Sequence, residues 1–394
     1  MGVFLNRNFW LLTLCQCFFM LNNITFTFVN GLVGLALAPV PWMATLPVTG
    51  YVVGSALATT LVARSQRAWG RKRSFQLGLV VGIAASGLCA FAAATGRFWL
   101  LVLATMLAGY YNANAALYRF VAMELVGPAY KERSISWVLA GGILGAVTGP
   151  NLARYTKDLL GTPFTGAYAM LVAFALVALA VMSFITFPAL PRPDPARPGR
   201  SLREIARQPV FVVAVAASAL GYGVMNLLMS ATPIAMTQMH HSFDHAALVI
   251  EWHVLAMFTP SFFTGQLIKR FGVLRVMWVG LAANLACIVI ALSGVAVMQF
   301  LVALVLLGVG WNFLFIGGTT LFTEAYRPEE KTTVQSTMDF CIYSTMAVTS
   351  FASGALITTR GWEYLNWGSL IPMGALAVAL VYLATQRRAA SLTA

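Results

Sequence analysis

Two pairs of sulfur- and nitrogen-bearing side chains carry the clearest chemical signal in this sequence. Met225 and Met229 stand four residues apart in one apolar segment, and His253 and Met257 stand four apart in the next. Side chains at this spacing lie on the same face of a helix. Thioether sulfur selects Cu(I), and imidazole is also a copper ligand. Four such side chains meeting between neighbouring helices predict a weak, exchangeable copper site.

The same residues have a plainer interpretation as packing. The chain contains 17 methionines, and methionine fills irregular gaps between helices. A methionine pair at this spacing arises by chance nearly as often as not in such a composition, whereas a His-x-x-x-Met pair is rarer. The copper hypothesis therefore depends on the two pairs occurring together.

The segment between the two pairs holds more ligand-type side chains, namely Met236, Met239, His240, His241 and His245. They could capture copper before it enters the protein, and a solvated polar loop is an equally good interpretation. Cys15 and Cys17 diverge on a helix because they are two residues apart. All five cysteines lie in apolar segments and are predicted to be free thiols.

Ionisable residues inside apolar segments are functional candidates, because a charge in lipid is costly. Asp339 is a candidate proton-coupling carboxylate or a structural ion-pair partner, and Glu251 lies in a similar setting. Arg119 and Glu124 are candidates for a gate or a packing pair, and Arg71 is a further candidate for coupling or gating.

The amino-acid composition indicates whether the predicted helices face lipid or water. Of 394 residues, 59% are hydrophobic and only 9% are charged, whereas soluble domains are about one quarter charged. A membrane-spanning helix needs about 20 mainly apolar residues. We therefore predict an all-α membrane protein with twelve transmembrane helices, near residues 9–34, 42–63, 74–95, 98–122, 134–156, 165–187, 209–232, 245–268, 274–294, 297–322, 332–356 and 364–385.

The positions of the charges predict how the chain is oriented. Most of the 25 lysines and arginines fall in loops on one side of the predicted bundle. This bias predicts that both termini and the linker lie in the cytoplasm, with the chain crossing the membrane many times. The net charge of +13 follows from that pattern, so we expect a lipid bilayer rather than nucleic acid as the partner.

A proline- and arginine-rich break divides the chain into two similar halves. Residues 188–208 are predicted to form a cytoplasmic linker between six-helix bundles at 1–187 and 209–394. A Gly-x-x-Arg sequence, Gly70–Arg73, follows the second predicted span, and Gly272–Arg275 follows the eighth about 200 residues later. Such parallel repeats occur in transporters with two related halves.

At these loops the chain resembles the major facilitator superfamily, over essentially its whole length. The loop after the second span in that family reads Gly-x-x-x-Asp-x-x-Gly-Arg-Lys/Arg. This chain keeps Gly70–Lys72 but has Ala63 and Arg67 in place of the first glycine and the aspartate. The second copy, Gly265–Gly272, keeps both glycines and has Lys269 for the aspartate. The resemblance implies two pseudo-symmetric six-helix bundles.

Gly145, Gly149 and Pro150 in the fifth span resemble the antiporter-type Gly-Pro motif of the same superfamily, without its trailing glycine pair. Small residues at this spacing also allow close contact between helices. Close packing is the interpretation we favour for this segment.

A narrower resemblance concerns the four residues described first. Met225-x-x-x-Met229 followed by His253-x-x-x-Met257 is similar to the paired metal motifs of the CcoA-type copper importers. It implies that these residues form a path for copper, as an ion or a small chelate, into the cytoplasm. There a copper acceptor would receive it for assembly of the haem–copper centre of cbb-type cytochrome oxidase. We expect a monomer with no permanently bound cofactor.

Transport of an organic solute is the alternative, with riboflavin first in line, because riboflavin transporters of the RfnT type belong to the same branch. The ten tryptophans and 26 phenylalanines could stack on a flavin or could simply fill the membrane. Asn22, Asn23, Trp311 and Asn312 are candidate cavity residues, or polar contacts between helices. No nucleotide-binding loop, triad spacing or zinc-protease motif is present, so we do not expect an enzyme.

Overall fold

The computed structural model describes residues 6–122, 124–126, 131–188, 200–327 and 330–393. Fourteen α-helices and no strand occur in these ranges. They are α1 (Arg7–Leu37), α2 (Leu46–Thr95), α3 (Phe98–Ala115), α4 (Tyr118–Ala122), α5 (Lys131–Thr156), α6 (Thr165–Ser183), α7 (Leu202–Ala206), α8 (Pro209–Gln238), α9 (Phe243–Phe258), α10 (Ser261–Phe271), α11 (Val273–Leu292), α12 (Val297–Phe322), α13 (Lys331–Thr359) and α14 (Gly361–Thr393).

These helices account for the twelve predicted spans. Within the described residues, eight helices are long and apolar enough to cross a membrane, or nine when α9 and α10, bent by 42°, count as one span. Helix α2 has 50 residues and contains two predicted spans. Helices α3 with α4, and α5, occupy the positions of the fourth and fifth predicted spans.

Two glycines at equivalent positions turn the chain between spans. Gly70 interrupts α2 with φ 78° and ψ 167°, and Gly272 joins α10 to α11 with φ 87° and ψ 150°. A positive φ is unfavourable for residues with a side chain, whereas glycine adopts it readily because it has no Cβ atom. The repeat seen in the sequence therefore corresponds to the same backbone turn in each half.

Close packing between α1 and α5 explains the small residues of the fifth span. A Cβ atom on Gly145 would lie 1.9 Å from the carbonyl oxygen of Cys17. One turn further on, the Thr25 hydroxyl donates to the carbonyl oxygen of Gly149 at 3.1 Å. These contacts support the packing interpretation of the Gly-x-x-x-Gly-Pro segment.

The start of α1, the end of α14 and residues 184–188 and 200–208 lie at one end of the bundle, which we call the terminal face. The backbone N–H of Thr186 donates to the Asn8 side chain, next to the start of α1. In the second half, Arg387 near the end of α14 pairs with Glu324 at 2.6 Å. The other end of the bundle is called the opposite face.

The two halves contact each other at the opposite face. The Thr45 hydroxyl donates to the carbonyl oxygen of Ser350 at 2.6 Å. Helix α5 meets α9 through an ion pair between Arg154 and Asp244 at 2.8 Å. The Asn151 amide also donates to the Glu251 carboxylate at 2.8 Å. We call the α5–α9 contacts the α5–α9 gate, because they join the two halves at this end of the bundle.

The end of the segment joining the halves is bound to the second half. Arg200 donates from its backbone N–H and from Nε to Glu330 Oε1, at 2.8 and 2.9 Å, and from Nη2 to Oε2 at 2.9 Å. The Gln208 side chain donates to the carbonyl oxygen of Ala325 at 2.9 Å. Residues 200–208 are therefore anchored on the loop that follows α12.

Candidate functional site

A cavity lies between the two halves in the middle of the bundle. Its volume is about 220 Å³, whereas a single buried water needs roughly 10–15 Å³ on a comparable measure. Its walls come from α1, α2 and α3 of the first half and from α8, α9, α10, α12 and α13 of the second. The space is large enough for an organic molecule as well as for an ion.

The second half supplies an aromatic wall. Trp311 and Phe315 are one turn apart on α12, and their rings stack at 5.1 Å with an interplanar angle of 9°. Tyr222 meets both rings edge-on, at 5.3 and 5.6 Å, and Phe258 meets Trp311 at 5.9 Å. All four residues line the cavity. Such rings bind planar, partly apolar molecules through their faces and edges.

Trp311 also offers a polar group to this wall. The residue is only 5% exposed, and its indole Nε1–H has no hydrogen-bond partner among the described residues. A buried donor without a partner is costly, so it marks a place where a bound molecule or water is expected to accept.

The first half supplies a polar wall of short side chains. Asn23 on α1 donates to the Tyr51 hydroxyl at 3.1 Å and to Asn112 Oδ1 at 3.0 Å. Asn112 on α3 in turn donates to the Ser55 hydroxyl at 2.8 Å. Asn23, Tyr51 and Asn112 line the cavity, so this network faces the aromatic wall across it.

Two further amides on the cavity surface hold helices together. Asn226 on α8 donates to the hydroxyls of Ser350 at 2.7 Å and Thr349 at 3.1 Å. Asn312 on α12 donates to the carbonyl oxygen of Met257 and to the Ser261 hydroxyl, both at 2.7 Å. The Asn226 amide therefore joins α8 to α13, and the Asn312 amide joins α12 to α9 and α10.

Three of the four predicted copper ligands line the cavity. Met225 and Met229 reach it from α8 and Met257 from α9. At 1.5 Å rise per residue, Met225 and Met229 lie roughly 24–30 Å from the terminal end of α8, and Met257 and His253 lie roughly 21–27 Å from the terminal end of α10. The four residues therefore lie at similar depths.

His253 lies behind the cavity wall rather than on it. It is fully buried, and its Nδ1 lies 2.7 Å from the carbonyl oxygen of Leu304 on α12. Because a carbonyl only accepts, Nδ1 carries the proton in this tautomer, and the lone pair is on Nε2. That Nε2 has no partner among the described residues. The close approach of α9 to α12 follows from Gly308, where a Cβ would lie 2.6 Å from the His253 carbonyl oxygen.

The residues predicted to capture copper are spread out in the structure. Met236 is fully buried on α8, while His241 Nε2 lies 2.7 Å from the carbonyl oxygen of Val295. The rings of His241 and His245 are 6.4 Å apart. Across the described ranges, no group of three or more His, Cys, Asp or Glu side chains could hold a metal ion. Capture by this loop stays a prediction.

The predicted coupling and gating residues fall in different places. Arg71 pairs with Glu124 at 2.5 Å on the terminal face, where burial lowers the pKa of the Arg71 guanidinium. Asp339 lines the cavity from α13. Arg119 lies in α4, and its side chain falls outside the described residues. A coupling role for any of them stays a prediction.

The sequence interpretation missed most of the residues that shape the cavity. Asn23, Asn312 and Trp311 were candidates, whereas Tyr51, Asn112 and the rings around Trp311 were not. The spacing of Trp311 and Phe315 by four residues was an available signal for a shared helix face. The polar wall joins α1, α2 and α3, so no local spacing could have revealed it.

Comparisons of sequence place the chain among known transporters. A family model described as Major Facilitator Superfamily matches residues 9–259 and 217–393. The chain is 40% identical over 365 residues to "Riboflavin transporter RfnT" of Brucella anthropi, covering 92% of each protein. It is 27% identical over 361 residues to "Uncharacterized MFS-type transporter YdeG" of Bacillus subtilis, covering 86% of this chain and 82% of that relative.

Solved structures show the same fold at low identity. The nucleoside transporter NupG is similar with a TM-score of 0.72 and 13% identity, over 96% of this chain and 99% of that one. A bacterial homologue of the iron transporter ferroportin, in an outward-facing state, is similar with a TM-score of 0.66 and 16% identity, over 96% and 100%. The prediction of an all-α fold with twelve transmembrane helices in two halves is confirmed, and the chain belongs to the Major Facilitator Superfamily as a membrane transporter.

Proposed function

We propose that this transporter carries a planar heteroaromatic solute of the flavin class, with riboflavin as its substrate. The observation that carries the proposal is Trp311, stacked on Phe315 at the cavity wall with an indole N–H that has no partner among the described residues. A flavin ring would stack against this wall and accept from that donor. The 40% identity to a riboflavin transporter over 92% of both chains supports the same substrate.

The size and chemistry of the cavity also favour a solute of this kind. Ligand sites combine a mainly apolar lining with a few placed polar groups, and this cavity has an aromatic wall facing a polar one. The cavity volume is about 220 Å³, and a site that binds only a metal ion needs a small fraction of that volume.

The proposed direction is uptake across a bacterial inner membrane. The excess of lysine and arginine in the loops of the terminal face argues for a cytoplasmic location of that face. The α5–α9 gate would then close the periplasmic side. A phosphatase fused to the C-terminus, active only in the periplasm, should be inactive in cells. Activity of that fusion would contradict the orientation.

Riboflavin binding to the purified protein tests the proposal. Riboflavin fluorescence should be quenched on binding, and Trp311→Leu should weaken binding by about tenfold or more, since stacking on one aromatic side chain contributes about 1–3 kcal/mol. Trp278→Leu is the matched control, because Trp278 is 37% exposed on the bundle surface. Absence of riboflavin binding, or equal losses in both variants, would refute the proposal.

Copper import is the second candidate, favoured by three methionines on the cavity surface beside a histidine with an available lone pair. Met225, Met229 and Met257 line the cavity at the depth of His253. A side-chain rotation of His253 toward the cavity would complete a set of three thioethers and one imidazole, which suits Cu(I). In this case copper would pass to a cytoplasmic acceptor and support oxidase assembly.

One variant separates the two candidates. Cells that carry Met225→Leu together with His253→Ala should lose copper uptake if copper is the substrate, and should keep riboflavin uptake if riboflavin is. The comparison requires equal amounts of protein in the membrane. Copper uptake equal to that of the unmodified protein would remove the copper candidate.

A further inference from the structure

We propose that Tyr51, Asn23 and Asn112 recognise an imide edge, meaning a ring N–H flanked by two ring carbonyls. The three residues come from α2, α1 and α3 of the first half and line the cavity together. This inference deepens the proposed function, on which it rests, because the pyrimidine part of a flavin has such an edge. It assigns the selectivity of the site to residues opposite the aromatic wall.

The hydrogen bonds of the polar wall leave specific groups unused. Asn23 donates both of its N–H groups, one to the Tyr51 hydroxyl and one to Asn112 Oδ1. Its Oδ1 therefore remains as an acceptor. Asn112 gives one N–H to Ser55 and keeps the other, since a primary amide has two.

Tyr51 contributes the third group. Its hydroxyl accepts from Asn23, and a hydroxyl that accepts still has one proton to donate. Within the described ranges, the Tyr51 hydroxyl donates no hydrogen bond. The residue is only 3% exposed, so a bound molecule can satisfy this donor where bulk solvent has little access.

The unused groups match an imide in kind and number. The unused acceptor is Asn23 Oδ1, and the unused donors are on Tyr51 and Asn112. Asn23 hydrogen-bonds to both of these residues, so the residue with the acceptor lies between the two residues with donors. An imide presents a donor, its N–H, between two acceptors, its carbonyl oxygens. A site built to bond such an N–H rejects an analogue that lacks it, because the site's own acceptor is left unpaired.

The position of the polar wall gives the imide contact a role in transport. The aromatic wall belongs to α8, α9 and α12 of the second half, and the polar wall belongs to the first half. A flavin stacked on Trp311 with its imide on Asn23 would touch both halves at once. Binding would then favour conformations in which the halves are close together around the solute.

The test compares riboflavin with 3-methylriboflavin, in which a methyl group replaces the hydrogen of the imide N–H. Binding to the purified protein, measured by fluorescence quenching, should be about tenfold or more weaker for the methylated compound. In Asn23→Leu and Asn112→Leu, the ratio of the two dissociation constants should fall toward one. The ratio is measured within each preparation, so partial unfolding cancels.

Asn366→Leu is the matched control, because this buried asparagine donates to the carbonyl oxygen of Trp362 on its own helix. It should keep the ratio of the unmodified protein. If a leucine variant does not fold, Asn112→Asp replaces the donor by an acceptor at nearly constant size, and it should also lower the ratio.

The outcomes separate this inference from the proposed function. Riboflavin binding with a ratio near one in the unmodified protein would overturn the inference and leave the proposed function standing. If riboflavin does not bind, the proposed function fails, and uridine with 3-methyluridine becomes the test pair. A tenfold preference for uridine that Asn23→Leu abolishes would support the inference, and no preference would overturn it.

Discussion

Contacts with Arg200 and Arg327 strongly favour the charged form of the Glu330 carboxyl. Its carboxylate accepts from the Arg200 side chain, from the backbone N–H of Arg327 and from that of Arg200, which together lower its pKa to about 2. The same contact raises the pKa of Arg200. This pair anchors residues 200–208 to the second half. It therefore fixes one end of the segment that connects the two halves.

A carboxyl whose pKa is lowered in the folded state stabilises that state above its ordinary pKa, and the effect disappears as the pH falls through the folded value. Anchoring of residues 200–208 should therefore be constant between about pH 5 and 8 and be lost only as the pH falls from about 4.5 toward about 2. Glu330→Gln should release the segment at neutral pH. Hydrogen exchange of the amides of residues 200–208 measures this release.

Glu324→Gln is the control for that experiment, because Glu324 pairs with Arg387 on the same face and, among the described residues, forms no ion pair with residues 200–208. Exchange in this segment should stay slow in Glu324→Gln and become faster in Glu330→Gln. Equal exchange in the two variants would show that the ion pair does not hold the segment.

At the residue scale, the sequence predicted which side chains could bind metal but not which way they point. Met225, Met229 and Met257 line the cavity as a shared helix face predicts, yet His253 turns toward α12. The rotation of α9 depends on how closely it approaches α12 at Gly308. That approach is a tertiary contact, which spacing along one helix does not encode.

Helix pairs in the first half approach more closely than ordinary side chains allow. Gly145 on α5 contacts the backbone of α1, and Gly54 on α2 lies where a Cβ would be 1.9 Å from the carbonyl oxygen of Met106 on α3. In lipid, packing of this kind replaces the hydrophobic effect as a source of association between helices.

Gly145→Ala should destabilise the protein by about 1–3 kcal/mol, because the added methyl group forces α1 and α5 apart. Gly87→Ala is the matched control, since nothing lies within 4 Å of a Cβ at that position. Thermal unfolding of the purified variants measures the difference. A melting temperature for Gly145→Ala equal to that of Gly87→Ala would contradict the close packing of α1 on α5.

The α5–α9 gate should control access to the cavity from the opposite face. Arg154→Ala removes an ion pair whose side chains are about half exposed, which is worth about 0.2–1 kcal/mol. A change of this size should raise the open population by up to about fivefold. A membrane-impermeant thiol reagent applied at the opposite face should then label Thr27→Cys, on the cavity wall, faster in the Arg154→Ala background.

Arg360→Ala serves as the control for the gate, because Arg360 lies over the ring of Tyr364 within the second half. Its labelling rate at Thr27→Cys should equal that of the protein with an intact gate. A gate role for Arg154 is excluded if both arginine variants label at the same rate.

The sequence predicted the large-scale architecture well, because the length of an apolar segment and the sign of a loop charge are local properties. The spans, the two halves and the paired turns at Gly70 and Gly272 follow from them. The cavity walls do not, since Trp311 and Asn23 become neighbours of one space only when the halves associate. Choice of substrate is therefore a property of the whole molecule.

The space between the halves is proposed to carry a flavin, with copper as the competing cargo. Uptake of riboflavin and of Cu(I), each measured separately, into liposomes containing the purified protein tests this claim. We expect saturable riboflavin uptake that Trp311→Leu reduces and that Met225→Leu with His253→Ala leaves intact. Copper uptake abolished by the second variant, with no riboflavin uptake in the unmodified protein, would contradict the claim.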